Sequence, residues 1–279
     1  MTSIPDPFFS SDNTRIYTSY DTQEPPPHPG DAWTRFVCIS DTHSRTNYEV
    51  PYGDVLLHSG DLSSWGHLPQ LKKTVKWTKT LPHPVKVLIA GNHDLCLDDD
   101  WSEDGPFSAA GECIPNANII AAQELMRCDA TRDAGIHYLE YESLRITLGG
   151  RSWEVYGSPL EQAAPRYALG AFQYVGAQDG DAIYAEIPPS TEILLTHTPG
   201  WGICDVSKRG NHAGCRSLKN RLESPELSKC RLHVFGHIHE AQGAAVHPVS
   251  ADGELSQMVR VSVNAALHDY PATIVDLLN

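Results

Sequence analysis

A chain of 279 residues, 41% of them hydrophobic, is long enough to bury a sizeable core. Asp and Glu outnumber Lys and Arg by 35 to 21, a formal net charge of −14, and no basic stripe interleaved with aromatic residues relieves it, so long polyanions are repelled and duplex nucleic acid is excluded as a partner. Seven cysteines without a Cys-x-x-Cys pair argue against a disulfide framework or a zinc ribbon; with no basic-then-apolar leader and no run near the roughly 20 apolar residues of a membrane span, the expectation is a reduced, cytoplasmic protein with no membrane partner.

Residues 1–34 contain Pro25-Pro-Pro27 and Pro29-Gly30 and no sustained periodicity, which predicts an irregular N-terminal extension anchored by Ile16, Tyr17 and Tyr20, ahead of a single domain over 35–279. Phe36 to Ser40 then reads as a strand buried on both faces that ends in Asp41-Thr42-His43, and Val55 to His58 as another that ends in Gly60-Asp61. Over 67–81, Leu68, Leu71, Val75 and Thr78 recur at helical intervals with lysines on the other face, as in a crossover helix. It leads to Val85 to Ala90, too short for a helix and too apolar for a loop, which stops at Gly91 and delivers Asn92, His93 and Asp94.

From Asp98 to Asn118 acidic residues, glycines and prolines predict a long polar loop that overhangs the strand end it follows and shapes access, before a helix over 119–128. Ile136 to Tyr141, Leu144 to Leu148 and Trp153 to Tyr156 read as a meander in a second sheet, broken by Gly149-Gly150. Residues 160–190 carry Tyr167, Phe172 and Tyr174 among glycines and prolines, aromatic side chains for packing or for a substrate contact. Glu192 to Leu195 ends in Thr196-His197; a Gly-rich segment over 200–214 holds His212; Gly214-Cys215 precedes a helix; Leu232 to Phe235 ends in Gly236-His237-Ile238-His239. Ala244 to Val249, an Asp252-Gly253 turn, Val259 to Val263 and Ala272 to Leu277 supply the last strands.

Five buried strands therefore deliver carboxylate, imidazole and amide ligands to one rim, the carboxyl edge where open α/β sheets bind ligands. With no thiolate among them, the donors suit Mn, Fe, Zn or Mg. A lone histidine at a strand end is more often a hydrogen-bonded residue than a ligand, and it is the five-block set that outweighs that reading. His58 is open between core and site, and His212 between loop and substrate contact; His28, His83, His137, His233, His247 and His268 lie outside any motif and read as structural. Asn264, at the end of a late strand, reads as a turn residue or as a backbone anchor for the site.

The ordered set Asp41-x-His43, Gly60-Asp61, Gly91-Asn92-His93-Asp94, His197 and Gly236-His237-x-His239 resembles the calcineurin-like metallophosphoesterase superfamily. Tyr156-Gly-Ser-Pro159, Thr196-His-Thr-Pro199 and Gly214-Cys215 are similar to its small metallophosphoesterase-domain-containing branch, itself similar to class III cyclic-nucleotide phosphodiesterases. The resemblance implies an α/β four-layer sandwich of two mixed β-sheets flanked by helices, and two divalent metal ions. Asp41, His43 and His239 would hold one ion, Asn92, His197 and His237 the other, with Asp61 bridging. It implies hydrolysis of a small phosphodiester, cyclic nucleotides included, by a metal-bridging hydroxide, with His93 assisting the leaving group and Asp94 orienting an imidazole. Arg45 and His212 are the expected substrate contacts. Phosphomonoesterases and protein phosphatases share the same ligands, and a non-catalytic metal scaffold is a further alternative. Protein phosphatases of this type usually carry arginines near the metals to grip a monoester dianion, and here Arg45 is the only nearby candidate, which mildly favours a diester.

Overall fold

In chain order the strands are β1 (Phe9–Ser10), β2 (Thr14–Tyr17), β3 (Trp33–Ile39), β4 (Val55–Ser59), β5 (Val85–Ile89), β6 (Ile136–Tyr138), β7 (Glu142–Leu148), β8 (Arg151–Ser158), β9 (Glu161–Gln162), β10 (Gln173–Tyr174), β11 (Ile193–Thr196), β12 (Leu232–Phe235), β13 (Gly243–Ala251), β14 (Glu254–Asn264) and β15 (Thr273–Leu278). The helices are α1 (Leu68–Thr80), α2 (Asn116–Arg127), α3 (Asp129–Arg132), α4 (Ala177–Ala185) and α5 (Arg216–Glu223). This is a computed structural model that describes residues 6–107, 113–162, 170–251 and 254–279.

One sheet of seven strands runs in the order β1-β2-β15-β3-β4-β5-β6, and one of six runs β13-β14-β12-β11-β8-β7. Both are mixed: β3 to β6 are mutually parallel with β15 antiparallel beside β3, while β8, β11, β12 and β14 are parallel between two antiparallel edge strands. Parallel neighbours need crossovers, and the crossover helices cover the outer faces. The inner faces meet in the principal core, where Phe36, Leu57, Val87 and Ile89 pack against Val155, Leu195, Val234 and Val261, with Trp153 set edge-on to Phe36 at 5.4 Å between centroids. α1 and α2 close the outside of the first sheet through Leu71, Val75, Ile119 and Met126, and α4 and α5 close the second through Tyr184, Leu218 and Leu222. Helix, sheet, sheet, helix is the four-layer sandwich expected from the sequence.

Three elements differ from the reading of the sequence. Residues 1–34 are not wholly irregular: β2 pairs with β15, and Ile16 and Tyr17 are buried as their anchoring role requires, while the Tyr20 hydroxyl donates to Ala272 O at 2.6 Å. The short segments Phe9–Ser10 and Thr14–Tyr17 have too few residues to show an alternation. The Ile136–Tyr138 segment is not part of the second-sheet meander but the parallel edge of the first sheet, beside β5; only β7 and β8 form the hairpin. Lastly, the described residues of the stretch expected as a polar loop, from Asp98 to Asn118, are not a free loop. Trp101 is buried against Phe107, its indole donates to Gly170 O at 3.1 Å, and Leu97 and Ile114 join it in the cluster under α2. The Asp252-Gly253 turn lies outside the described residues.

Candidate metal centre

The site assembles because strands β3, β4, β5, β11 and β12 end at the same edge. At the ends of β3 and β4 the chain leaves in a left-handed backbone, with φ of 57° at Asp41, 46° at His43, 60° at Ser44 and 55° at Asp61. That conformation costs an L residue about 1–2 kcal/mol, and here backbone hydrogen bonds between the two turns hold it. Asp41 N donates to Gly60 O at 3.0 Å, His43 N to Asp61 O at 2.9 Å and Ser44 N to Leu62 O at 3.1 Å. The glycines mark where backbone must touch a carboxylate: a Cβ on Gly91 would stand 2.4 Å from Asp61 Oδ1, and one on Gly236 2.0 Å from Asp41 Oδ2.

Donor atoms of Asp41, His43, Asp61 and His239 lie within 4.8 Å of one another. Asp41 Oδ1 is 3.1 Å from His239 Nε2, which is 3.2 Å from His43 Nε2, itself 3.6 Å from Asp61 Oδ2. The other Asp61 oxygen leads onward, to His197 Nε2 at 3.4 Å. Asn92 Oδ1 then lies 2.9 Å from His197 Nε2 and 3.0 Å from His237 Nδ1. Seven side chains thus form one chain of contacts with Asp61 in the middle. Their outer atoms are fixed as well: His197 Nδ1 meets Ser59 O at 2.8 Å, and His237 N donates to both Asp41 oxygens at 3.1 and 3.2 Å.

The electrostatics of this set favour a cation. Burial and the neighbouring Asp41 charge push the Asp61 carboxyl well above its usual range. Burial also raises Asp41, but the hydrogen bond with His239 and the surrounding imidazoles outweigh it and hold that carboxyl below the ordinary range. The same hydrogen bond raises His239. Burial lowers His43 to about 4 and His237 to about 3, so both rings are neutral near pH 7 and keep a lone pair for ligation. Two buried carboxylates beside neutral imidazoles and an amide oxygen are the donors of a divalent metal site without thiolate, and the residues fit that group.

Residues 34–241 match the family model described as calcineurin-like phosphoesterase. The chain belongs to this family. It is similar to the human Metallophosphoesterase domain-containing protein 1, at 34% identity over 268 residues that span 88% of this chain and 76% of that protein. A fungal protein of Emericella nidulans, named as a probable rhamnogalacturonate lyase C, is 36% identical over 217 residues, which is 77% of this chain but only 18% of the relative. Among solved structures, a purple acid phosphatase from yellow lupin aligns over 86% of this chain and 45% of its own with a TM-score of 0.38 and 13% identity, too loose a likeness to build on. The family is one of phosphoester hydrolases that typically bind two divalent metals, and the quartet around Asp41 is the candidate site of this phosphoesterase.

Other expected site residues fall elsewhere or do something different. Among the described residues the Asp94 carboxylate meets no imidazole: buried, it accepts from Leu62 N, Ser63 N, Gly91 N and Ser63 Oγ at 2.7 to 3.0 Å, tying the turn after β4 to the turn after β5. Burial raises its pKa against the pull of those donors. Arg45 is exposed on the turn beyond His43 and forms no ion pair with the seven ligands among the described residues. His212 is half-exposed, held at Nδ1 by the buried Asp205 at 2.6 Å and set 5.3 Å from the Trp201 ring. Asn264 is the backbone anchor rather than a turn residue: its amide donates to Ile238 O at 2.9 Å, between two ligands, and to Cys204 O at 3.0 Å. Tyr174 and Phe172 pack inward, and Tyr167 lies outside the described residues.

His58 is core-side, buried behind the site with Nε2 2.9 Å from Thr42 Oγ1; His233 repeats the arrangement in the second sheet, 2.8 Å from Thr196 Oγ1. Three rim features escaped the sequence reading. Ser64 O fixes His93 Nδ1 at 2.7 Å; Trp65, 67% exposed, sets its ring edgewise to His93 at 5.9 Å; and His268 lies 5.6 Å from the His239 ring. Trp65 follows Gly60-Asp61 by a few residues, and an exposed tryptophan beside a ligand motif was the signal available.

Proposed function

We propose that this chain is a dinuclear metal-dependent phosphodiesterase acting on small diesters, with cyclic nucleotides among its substrates. The observation that carries the reading is the continuous contact from Asp41, His43 and His239 through Asp61 to Asn92, His197 and His237. In this reading the first three would hold one ion and the last three the other, and Asp61 would serve both. Two such ions supply a clamp for phosphoryl charge and lower the pKa of water toward about 7.

The remaining work falls to the protein. His93 stands beside Asn92 with its ring fixed by Ser64 O and by the backbone bond from His93 N to Asp61 Oδ1 at 2.9 Å, and its ring packs edge-on to that of His43 at 4.8 Å. With Nδ1 committed to a carbonyl, Nε2 is the atom that donates a proton to the leaving oxygen when the ring is an imidazolium. Trp65 offers an exposed aromatic face next to His93, which supports a substrate with a flat base. Because no arginine pairs with the ligands among the described residues, a monoester dianion lacks the fork that would grip it, which supports a diester. The seven cysteines are all free, as in a reducing compartment, and the cytoplasm is the proposed location; no helix among the described residues is long and apolar enough to cross a membrane.

The test is turnover of bis(p-nitrophenyl) phosphate, p-nitrophenyl phosphate and a panel of cyclic nucleotides by manganese-loaded protein. Diester hydrolysis that exceeds monoester hydrolysis and disappears on chelation is the expected result. Faster monoester turnover would overturn the diester reading, and no turnover with two ions bound would overturn the enzyme reading.

A further inference from the structure

The outer face of the second sheet holds a cavity of about 380 Å³, remote from the seven ligands in composition, between β13, β14, α5 and the segment that begins at Trp201. Its walls are in part apolar, with Trp201, Ile203, Leu222, Pro225 and Pro248, and in part polar, with His247, Arg260 and Ser262. A volume of that size is in the range of small-molecule sites, where apolar walls and a few fixed polar groups are the rule.

Arg260 is what makes the cavity unusual. It is 7% exposed, and its guanidinium donates to Cys230 O, Leu222 O and Leu227 O, leaving two of its five N–H donors. Carbonyls satisfy hydrogen bonds but carry no net charge, and no carboxylate pairs with Arg260 among the described residues. A buried cation without a counter-charge is costly. The other ions on the wall are Lys219 and Glu223, which face each other at 3.7 Å and cancel, so the cavity retains a single positive charge. Beside it, the Ser262 hydroxyl, fully buried, and His247 Nε2 have no hydrogen-bond partner among the described residues. Burial and the Arg260 charge hold the His247 ring below its ordinary range, so it can donate without adding charge.

We propose that this cavity is a second ligand site, for a small aromatic monoanion whose charged end meets Arg260, Ser262 and His247 and whose ring lies along the wall formed by Trp201 and the prolines. One positive charge calls for one negative charge. The apolar wall calls for a flat body rather than an inorganic ion.

The experiment is calorimetric titration of the metal-loaded protein with benzoate and benzenesulfonate, with neutral benzamide and inorganic phosphate as controls. Benzoate is expected to bind once per chain with a dissociation constant of about 1 mM or tighter. Benzamide should bind about 10-fold more weakly or worse, and Ser262→Val and His247→Leu should each weaken benzoate about 10-fold while metal content stays at the wild-type level. Phosphate at a concentration that fills the metal centre should not displace it. Absence of saturable benzoate binding, full competition by phosphate, or wild-type affinity in both variants would each overturn the proposal. Should either variant fail to fold, amide spectra of the wild-type protein decide the matter: benzoate must shift the Ser262 amide and the Trp201 indole N–H, and shifts confined to residues 237–241 would overturn it.

Discussion

Asp41 and Asp61 both leave strands of the first sheet, whereas the second sheet contributes only imidazoles, His197 from the end of β11 and His237 and His239 from beyond β12. The backbone divides the same way. Among the described residues at the site, four non-glycine residues in the left-handed region, Asp41, His43, Ser44 and Asp61, belong to the first-sheet half, and two, His237 and Cys204, to the second. One half of the rim carries both carboxylates and most of the strained backbone, and the other supplies imidazoles on a largely relaxed backbone. Strain of about 1–2 kcal/mol per residue is retained where it turns a carboxylate toward the facing sheet. The two halves meet at Asp61, whose oxygens reach His43 on one side and His197 on the other.

If Asp61 is that junction, Asp61→Asn should break the centre more than any other change. An amide keeps the shape but removes the charge that balances two ions, so the variant should bind fewer than two metals per chain and lose diester hydrolysis by about 1,000-fold or more, the scale seen when a group facing transition-state charge is removed. Metal analysis with turnover on the same sample checks it; two tightly held ions in Asp61→Asn would place the junction elsewhere.

His93 sharpens the comparison, because it leaves the first sheet yet is no ligand in the proposed scheme. His93→Ala should retain both metals and lose roughly 100- to 10,000-fold in turnover. The loss should shrink for diesters with very acidic leaving groups, which need no proton. An equal loss across leaving groups would remove proton donation from its role.

Asn264 tests whether the second half is as relaxed as it looks. It holds Ile238 between two ligands, and Asn264→Ala leaves that carbonyl and Cys204 O without their donor. Metal affinity should fall by about 10- to 100-fold, as for other groups that position ligands, with the diester/monoester ratio unchanged. Metal titration followed by both assays reads this directly.

The rim was legible in the sequence because each ligand block follows a buried strand at once, so strand direction alone gathers Asp41, Asp61, Asn92, His197 and His237 at one edge. What chemistry-bearing residue types did not reveal was partnership. Asp94 looks like an acid beside an imidazole, yet four donors reach it from segments whose path the sequence does not show. The run from Ile136 to Tyr141 reads as a strand of the same kind as β7 and β8, and only the pairing of β6 with β5 assigns it to the first sheet. The helix α4 was hidden by Gly180 within it and by its weak amphipathy; that glycine packs against the Tyr174 ring, where a Cβ would come within 2.5 Å. Trp101 and Ile114, isolated among acidic residues, anchor a stretch that composition marks as loop.

The smallest effect lies behind the ligands, where the two halves are alike. His58 on β4 touches Thr42, between two first-sheet ligands, and His233 on β12 touches Thr196, next to His197. Burial lowers His58 to about 3 and holds His233 well below its ordinary range, with Arg260 adding to the latter. A ring whose folded pKa lies below its unfolded value near 6.5 takes up a proton on unfolding, so its contribution is complete above about pH 6.5 and is lost as pH falls through the folded value. For His58 that window runs from about 6.5 down to about 3, at up to roughly 1.4 kcal/mol per pH unit. His58→Gln removes the titration while keeping a polar group for Thr42. Denaturant unfolding of metal-free wild type and variant should therefore show the wild type losing stability relative to the variant as pH is lowered from 6.5 to 4.5, whatever their offset at neutral pH. The remaining buried imidazoles titrate in both proteins and cancel in the difference. A constant offset across that range would mean that His58 keeps its proton count on unfolding, and the first-sheet side would then owe its acid sensitivity to other rings held low by burial, His43 and His83, each at about 4.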